Sequence, residues 1–92
     1  MTYRIELTPR AANDLKKLDN SVRKVIIKTL ERLSVDPEIG KPLEYEFNNL
    51  RSYRAGSYRV IYSIYKKEIH VIVVAIGHRR DVYERLRKLL NR

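Results

Sequence analysis

Residues 69–76 read Ile-His-Val-Ile-Val-Val-Ala-Ile, an apolar run broken only by His70. A run of that length between turn signals marks a central strand covered on both faces. Gly77 is expected to break it. The segment before it, Ser57–Lys66, is a long strand, and Lys67-Glu68 turns the chain back. Before that, Leu50–Arg54 reads as a further strand, with Arg51 and Tyr53 on one face and Ser52 and Arg54 on the other. Ala55-Gly56 supplies the tight turn between the two. A chain of 92 residues allows one small core and therefore one domain, residues 1–92, built around this meander.

The N-terminal half supplies a first strand and a cover. Tyr3, Ile5 and Leu7 alternate with Thr2, Arg4 and Glu6, the period of a half-buried strand. Thr8-Pro9 is a helix start, a hydroxyl N-cap followed by proline at the first helical position. Ala11, Ala12, Leu15 and Leu18 follow as an apolar stripe. Asp19-Asn20 is a turn. A second helix over about Ser21–Leu33 carries Val22, Val25, Ile26, Thr29, Leu30 and Leu33 at spacings of three and four. The short connection makes the pair a helical hairpin. Asp36-Pro37 and Ile39–Pro42 form a loop, and Glu44–Phe47 is a short strand or loop. The closing segment Asp81–Leu90 repeats Val82, Leu86, Leu89 and Leu90 at helical spacing. The expected architecture is α+β: a small, twisted, mostly antiparallel sheet, an N-terminal helical hairpin packed on it, a short C-terminal helix, and the helices against one side.

Charge is unevenly placed. Twenty Lys/Arg against eleven Asp/Glu give a net +9. Residues 1–50 hold nine basic and eight acidic side chains, whereas residues 51–92 hold eleven basic, eight of them arginine, and three acidic. Such an excess points to a polyanion or an acidic protein as partner, and arginine suits bidentate phosphate contact. There is no cysteine, which excludes a disulfide scaffold, a thiolate metal site and a thiol nucleophile and fits a reducing compartment. No apolar run approaches the roughly 18 residues of a membrane span, and no signal peptide, P-loop, dinucleotide fingerprint or HExxH occurs. His70 and His78, at the two ends of one strand, would stand about 26 Å apart and cannot share a metal. His70 is expected at the surface or a sheet edge. No cofactor or metal is called for.

On the long strand, Tyr58, Val60, Tyr62 and Ile64 form one face, and Arg59, Ile61, Ser63 and Tyr65 the other. Antiparallel return of the next strand brings His78-Arg79-Arg80 beside Arg59, with Tyr83 one turn further and Arg51 or Arg54 across the ladder. Guanidinium groups gathered at one end of a sheet call for an anion and can stabilise charge building on a phosphate. Tyrosine can stack on a base or orient a 2′-hydroxyl. It serves as a base only if neighbouring cations lower its ordinary value of about 10. The alternative is structural: Tyr83 packs the last helix on the sheet and Arg79 pairs with an acidic partner. Spacing leaves both open.

SYRVIY at Ser57–Tyr62, AIGHRRDVY at Ala75–Tyr83, and a strand leading into two helices together resemble the RelE/ParE superfamily of toxins from toxin–antitoxin pairs, over essentially the whole chain. The resemblance is strongest to the RelE branch, because Arg59, Arg79 and Tyr83 occur together. It implies the RelE fold and a metal-independent endoribonuclease that enters the ribosomal A site and cuts mRNA there. The RNA's own 2′-hydroxyl attacks the adjacent phosphate and leaves a 2′,3′-cyclic phosphate and a 5′-hydroxyl. Arg59 would hold the phosphate in the transition state, Arg79 the leaving side, and Tyr83 the nucleotide or a proton. Arg51, Arg54, His78, Arg80 and Arg85 would bind RNA or the ribosome.

The departures also carry meaning. Some RelE enzymes place two lysines on the strand before the middle one, and the matching stretch here, Leu50–Ser52, has none. No histidine–glutamate acid–base pair is present. Both imply a reduced catalytic set. The resemblance implies a cytoplasmic toxin whose partners are an antitoxin with an acidic binding segment, the ribosome with its rRNA, and mRNA. Operator DNA would be reached only through the antitoxin complex, and a membrane not at all. The alternatives are ParE-like inhibition of DNA gyrase and a catalytically degenerate toxin fold that only binds its antitoxin.

Overall fold

The structure, a computed structural model, describes residues 2–90, with the side chains of Leu89 and Leu90 outside that description. Thr8 caps the first helix as its sequence predicts. Its hydroxyl accepts from the Ala11 amide at 3.2 Å, with Pro9 in the first turn. The chain runs β1 (Arg4–Leu7), α1 (Pro9–Lys16), α2 (Asn20–Val35), β2 (Lys41–Pro42), β3 (Arg51–Ala55), β4 (Tyr58–Tyr65), β5 (His70–His78) and α3 (Asp81–Leu90). Gly56 takes φ 64 in the tight β3–β4 turn, a conformation that glycine adopts without steric cost.

The strands form one sheet in the order β1-β5-β4-β3-β2. Only β1 runs parallel to its neighbour, β5. The helices were expected on one side, and that requires correction. α1 and α2 bury Ala11, Ile26, Leu30 and Leu33 against Val60, Tyr62, Val71, Val73 and Ile76. α3 buries Val82 and Leu86 against Ile61, Ala75 and Phe47 on the opposite face. The reason lies in β5 itself: a strand apolar on both sides needs a cover on both.

A bulge modifies the β4–β5 ladder. Ile61 pairs with Ala75 and Tyr62 with Val73, so Val74 is the extra residue. Val74 and Ala75 both join the α3-side cluster, and alternation resumes out of phase beyond them. Gly77 does not end the strand, which continues to His78. It lies opposite Arg59, and a Cβ there would run into the Arg85 guanidinium.

Other expectations also shift. Glu44–Phe47 is neither strand nor open loop; Tyr45–Phe47 is a 3-10 turn that buries Phe47. The loop at Ile39–Pro42 contains a 3-10 turn at Pro37–Ile39 and the two-residue strand β2. Val25 is half exposed rather than part of the buried stripe, because the sheet meets the α2 face centred on Ile26, Leu30 and Leu33. His70 is buried rather than at an edge, because β1 pairs alongside it. Its Nε2 lies 3.1 Å from Glu6 Oε1.

Candidate functional site

On β3, Ser52 and Arg54 share the α3 face, and on β4, Arg59 and Ile61 do. The register sets Ser52 opposite Ile61 and Arg54 opposite Arg59. Like charges directly opposed on a ladder are unfavourable unless something separates or bridges them. Arg54 turns its Nε to the Gly56 carbonyl at 3.2 Å. Arg59 reaches diagonally to Ser52, its Nη1 donating to Oγ at 3.1 Å. The Tyr83 hydroxyl comes down from α3 to the same oxygen at 2.9 Å. Ser52 is only 2% exposed, so this Oγ forms the floor on which Arg59 and Tyr83 meet.

Tyr83 is fixed from both ends. Its ring lies against Phe47, with centroids 6.1 Å apart, and its hydroxyl lies on Ser52. Arg87, one turn along α3, sits 5.7 Å over the Phe47 ring and 3.4 Å from Glu46 Oε1. The acidic-aromatic segment thus clamps α3 onto the sheet. Tyr62 makes a useful contrast. It is fully buried on the other face, where its hydroxyl donates to the Pro37 carbonyl at 2.6 Å and accepts from the Gly40 amide. Burial pushes its phenol above the ordinary value, so it works as a structural bolt. A Cβ at Gly40 would run into that hydroxyl.

Arg79 stands at the same end of the sheet as Arg59. Its amide donates to the Ser57 carbonyl at 3.0 Å, one ladder step past the Tyr58–His78 pair. Arg79 and Arg80 are exposed and make no side-chain hydrogen bond or ion pair among the described residues. An open cleft of about 530 Å³ lies toward the other end of β4, lined by Leu43, Asn48, Leu50, Ser63, Tyr65 and others. None of Arg59, Arg79 and Tyr83 lines it.

A family model described as the ParE toxin of type II toxin–antitoxin systems matches residues 5–83. The chain belongs to the RelE/ParE superfamily of toxins. Among its relatives, toxin RelG of Mycobacterium tuberculosis is 33% identical over 87 residues, covering 92% of this chain and all of that protein. The mRNA interferase toxin RelE of Escherichia coli is 28% identical over 101 residues, covering 98% of this chain and all of that one. The toxin–antitoxin complex RelBE2 of Mycobacterium tuberculosis contains a chain that superposes with a TM-score of 0.81 at 30% identity, covering 85% of this chain and 92% of that one.

Of the residues singled out in this toxin's sequence, the structure joins Arg59 and Tyr83 through Ser52 and sets Arg54 beside Arg59. It leads Arg51, His78 and Arg85 elsewhere. Arg51 pairs with Tyr62 on the hairpin side and donates to the Gly40 and Glu38 carbonyls at 2.7 and 3.2 Å. His78 packs edge-on against Tyr58, centroids 5.8 Å apart, turned to the hairpin face by the bulge. Arg85 bonds Asp14 Oδ1 at 3.0 Å and the Ile76 carbonyl at 3.1 Å, while Asp14 Oδ2 accepts from the Ile76 amide. This ion pair ties α1 to α3 around the edge of β5 that β1 leaves uncovered. Sequence reasoning missed Ser52 as a site residue. Its sharing of a face with Arg54 was the available signal, but a lone serine on a strand carries no chemistry until its neighbours are known.

Proposed function

We propose that this toxin is a ribosome-dependent mRNA endoribonuclease acting without a metal. The observation that carries the reading is the meeting of Arg59 and Tyr83 on one buried hydroxyl, with Arg54 across the ladder and Arg79 at the same sheet end. In this reaction the 2′-oxygen forms a bond to the adjacent phosphorus and the P–O5′ bond breaks. One proton leaves the 2′-hydroxyl and another reaches the 5′-oxygen. Arg59 clamps the non-bridging oxygens as negative charge builds, the preorganised role that matters most where donors are already aimed. Arg54 loses its like-charge penalty once a phosphate sits between the two guanidinium groups. Arg79 stabilises the leaving oxygen. Because the ring of Tyr83 rests on Phe47, its hydroxyl is the group it offers, and that hydroxyl orients the 2′-hydroxyl or, once ionised, takes its proton; water supplies the proton that the 5′-oxygen takes.

The basic surface also suits rRNA and, in the resting cell, the acidic segment of a cognate antitoxin. Operator DNA is bound only through that complex. The ribosomal target places the toxin in the cytoplasm. Purified protein added to programmed ribosomes should cut mRNA in the A site and leave free RNA nearly intact. Intact message at saturating toxin would end this reading. The family model's ParE description favours a second one, gyrase inhibition; a supercoiling assay should be blank, and inhibition there would put the second reading first.

A further inference from the structure

We infer that Ser52 is the positioning residue of this site, holding Arg59 and Tyr83 in one geometry through a single hydroxyl. The inference rests on the nuclease reading above. A serine hydroxyl has one proton and two lone pairs. Here Arg59 Nη1 uses one lone pair at 3.1 Å, and Tyr83 Oη stands 2.9 Å from the same oxygen, each hydroxyl able to donate to the other. The Arg59 guanidinium can only donate, so the bridge fixes its direction. The Tyr83 contact is reversible in sense. When Ser52 donates to it, the phenolic proton is free to point at substrate. When Tyr83 donates, its outer lone pair is free to accept.

The placement is rigid. Ser52 sits within a paired strand, 2% exposed, with Ile61 opposite it. Arg59 comes from the next strand, two residues along. Tyr83 comes from a helix 31 residues away in sequence. A side chain that joins three elements at one atom sets the distance between the two groups that must act on the same phosphodiester. Ser52 contributes no charge and does not touch substrate, so its effect passes through its two partners.

The test compares wild-type protein, Ser52→Ala and Ser52→Thr in single-turnover cleavage on programmed ribosomes, with ribosome binding and thermal melting measured alongside. Ser52→Ala is expected to slow cleavage about 10–100-fold at saturating ribosome, the range that loss of positioning produces, with the half-saturating concentration unchanged. Ser52→Thr, which keeps the hydroxyl and suits a strand, is expected to recover most of the rate. The pair Ser52→Ala with Tyr83→Phe should lose less than the two single losses combined, because both singles remove the Ser52–Tyr83 contact while only Ser52→Ala also frees Arg59. A wild-type protein that cleaves while Ser52→Ala cleaves equally well would overturn the role of Ser52 and leave the nuclease reading standing. Fully additive losses, or a threonine variant as slow as the alanine one while still folded, would overturn it too. A wild-type protein that does not cleave would overturn the nuclease reading, and the Ser52 role with it.

Discussion

The two faces of the sheet are built for different ends. On the hairpin face, α1 and α2 enclose a cluster that includes Ile26, Leu33, Val60, Tyr62, Val71 and Val73, all at 0% exposure. The Tyr62 hydroxyl there is matched internally. On the other face, α3 covers a smaller cluster, Phe47, Ile61, Ala75, Val82 and Leu86, and beyond it the sheet carries Ser52, Arg54 and Arg59. The first face uses its area for stability. The second gives up area to hold charged groups in place, and opposes two arginines at a cost that an anion would remove.

That division can be tested by substitution. The largest effect should come from Ile26→Ala, which opens a cavity in the larger cluster and should cost about 2–5 kcal/mol of stability. That is a large share of the roughly 5–10 kcal/mol available to a chain this small. Denaturant unfolding should show the loss, and the protein that remains folded should cleave normally; reduced cleavage per folded molecule would mean the faces are not independent. Arg59→Ala should do the reverse. Cleavage should fall about 10²–10³-fold, the scale of one lost transition-state donor, with ribosome binding nearly kept and melting unchanged or slightly raised as Arg54 loses its like-charged neighbour. Equal losses in binding and cleavage would recast Arg59 as a docking residue.

Smaller effects refine the comparison. Tyr62→Phe leaves the Pro37 carbonyl and the Gly40 amide without their partner and should cost about 1–3 kcal/mol, again with cleavage intact in the folded fraction. Glu38→Gln should do least. The Lys66 ammonium, 2.9 Å away, holds the Glu38 carboxyl below its ordinary value, chiefly through their hydrogen bond. A carboxyl lowered by folding stabilises above its unfolded value and loses that contribution as the pH falls through the folded one. The pair is exposed and screened, so wild type and variant should melt almost alike at neutral pH and converge fully in acid or high salt. A large difference that salt does not reduce would show the pair to be part of the core.

Local pattern carried much of this architecture. Period-two alternation placed β1, β3 and β4, Thr8-Pro9 marked the first helix, and the apolar run located β5. Each rests on neighbours a few residues apart, where backbone geometry dictates which side chains share a face. The pairing of Ser52 with Arg54 and of Arg59 with Ile61 on their respective strands was legible for the same reason. The destinations of His78, Arg51 and Arg85 were not. One extra residue, Val74, turns His78 to the face opposite Arg59, and nothing in the run Val71–Ile76 distinguishes a bulged strand from a regular one. Arg85 looks like one more surface arginine until Asp14, 71 residues earlier, is brought beside it.

Chain order and side-chain periodicity therefore settle which elements form and which residues line each strand face, since both depend on covalent neighbours and the fixed repeats of helix and strand. Folding settles which arginines stay available and which become internal ties. It also makes a buried serine the junction of Arg59 and Tyr83. Those outcomes depend on register, on a bulge and on how α3 lies across the sheet, and each is set by contacts between residues that the chain keeps far apart.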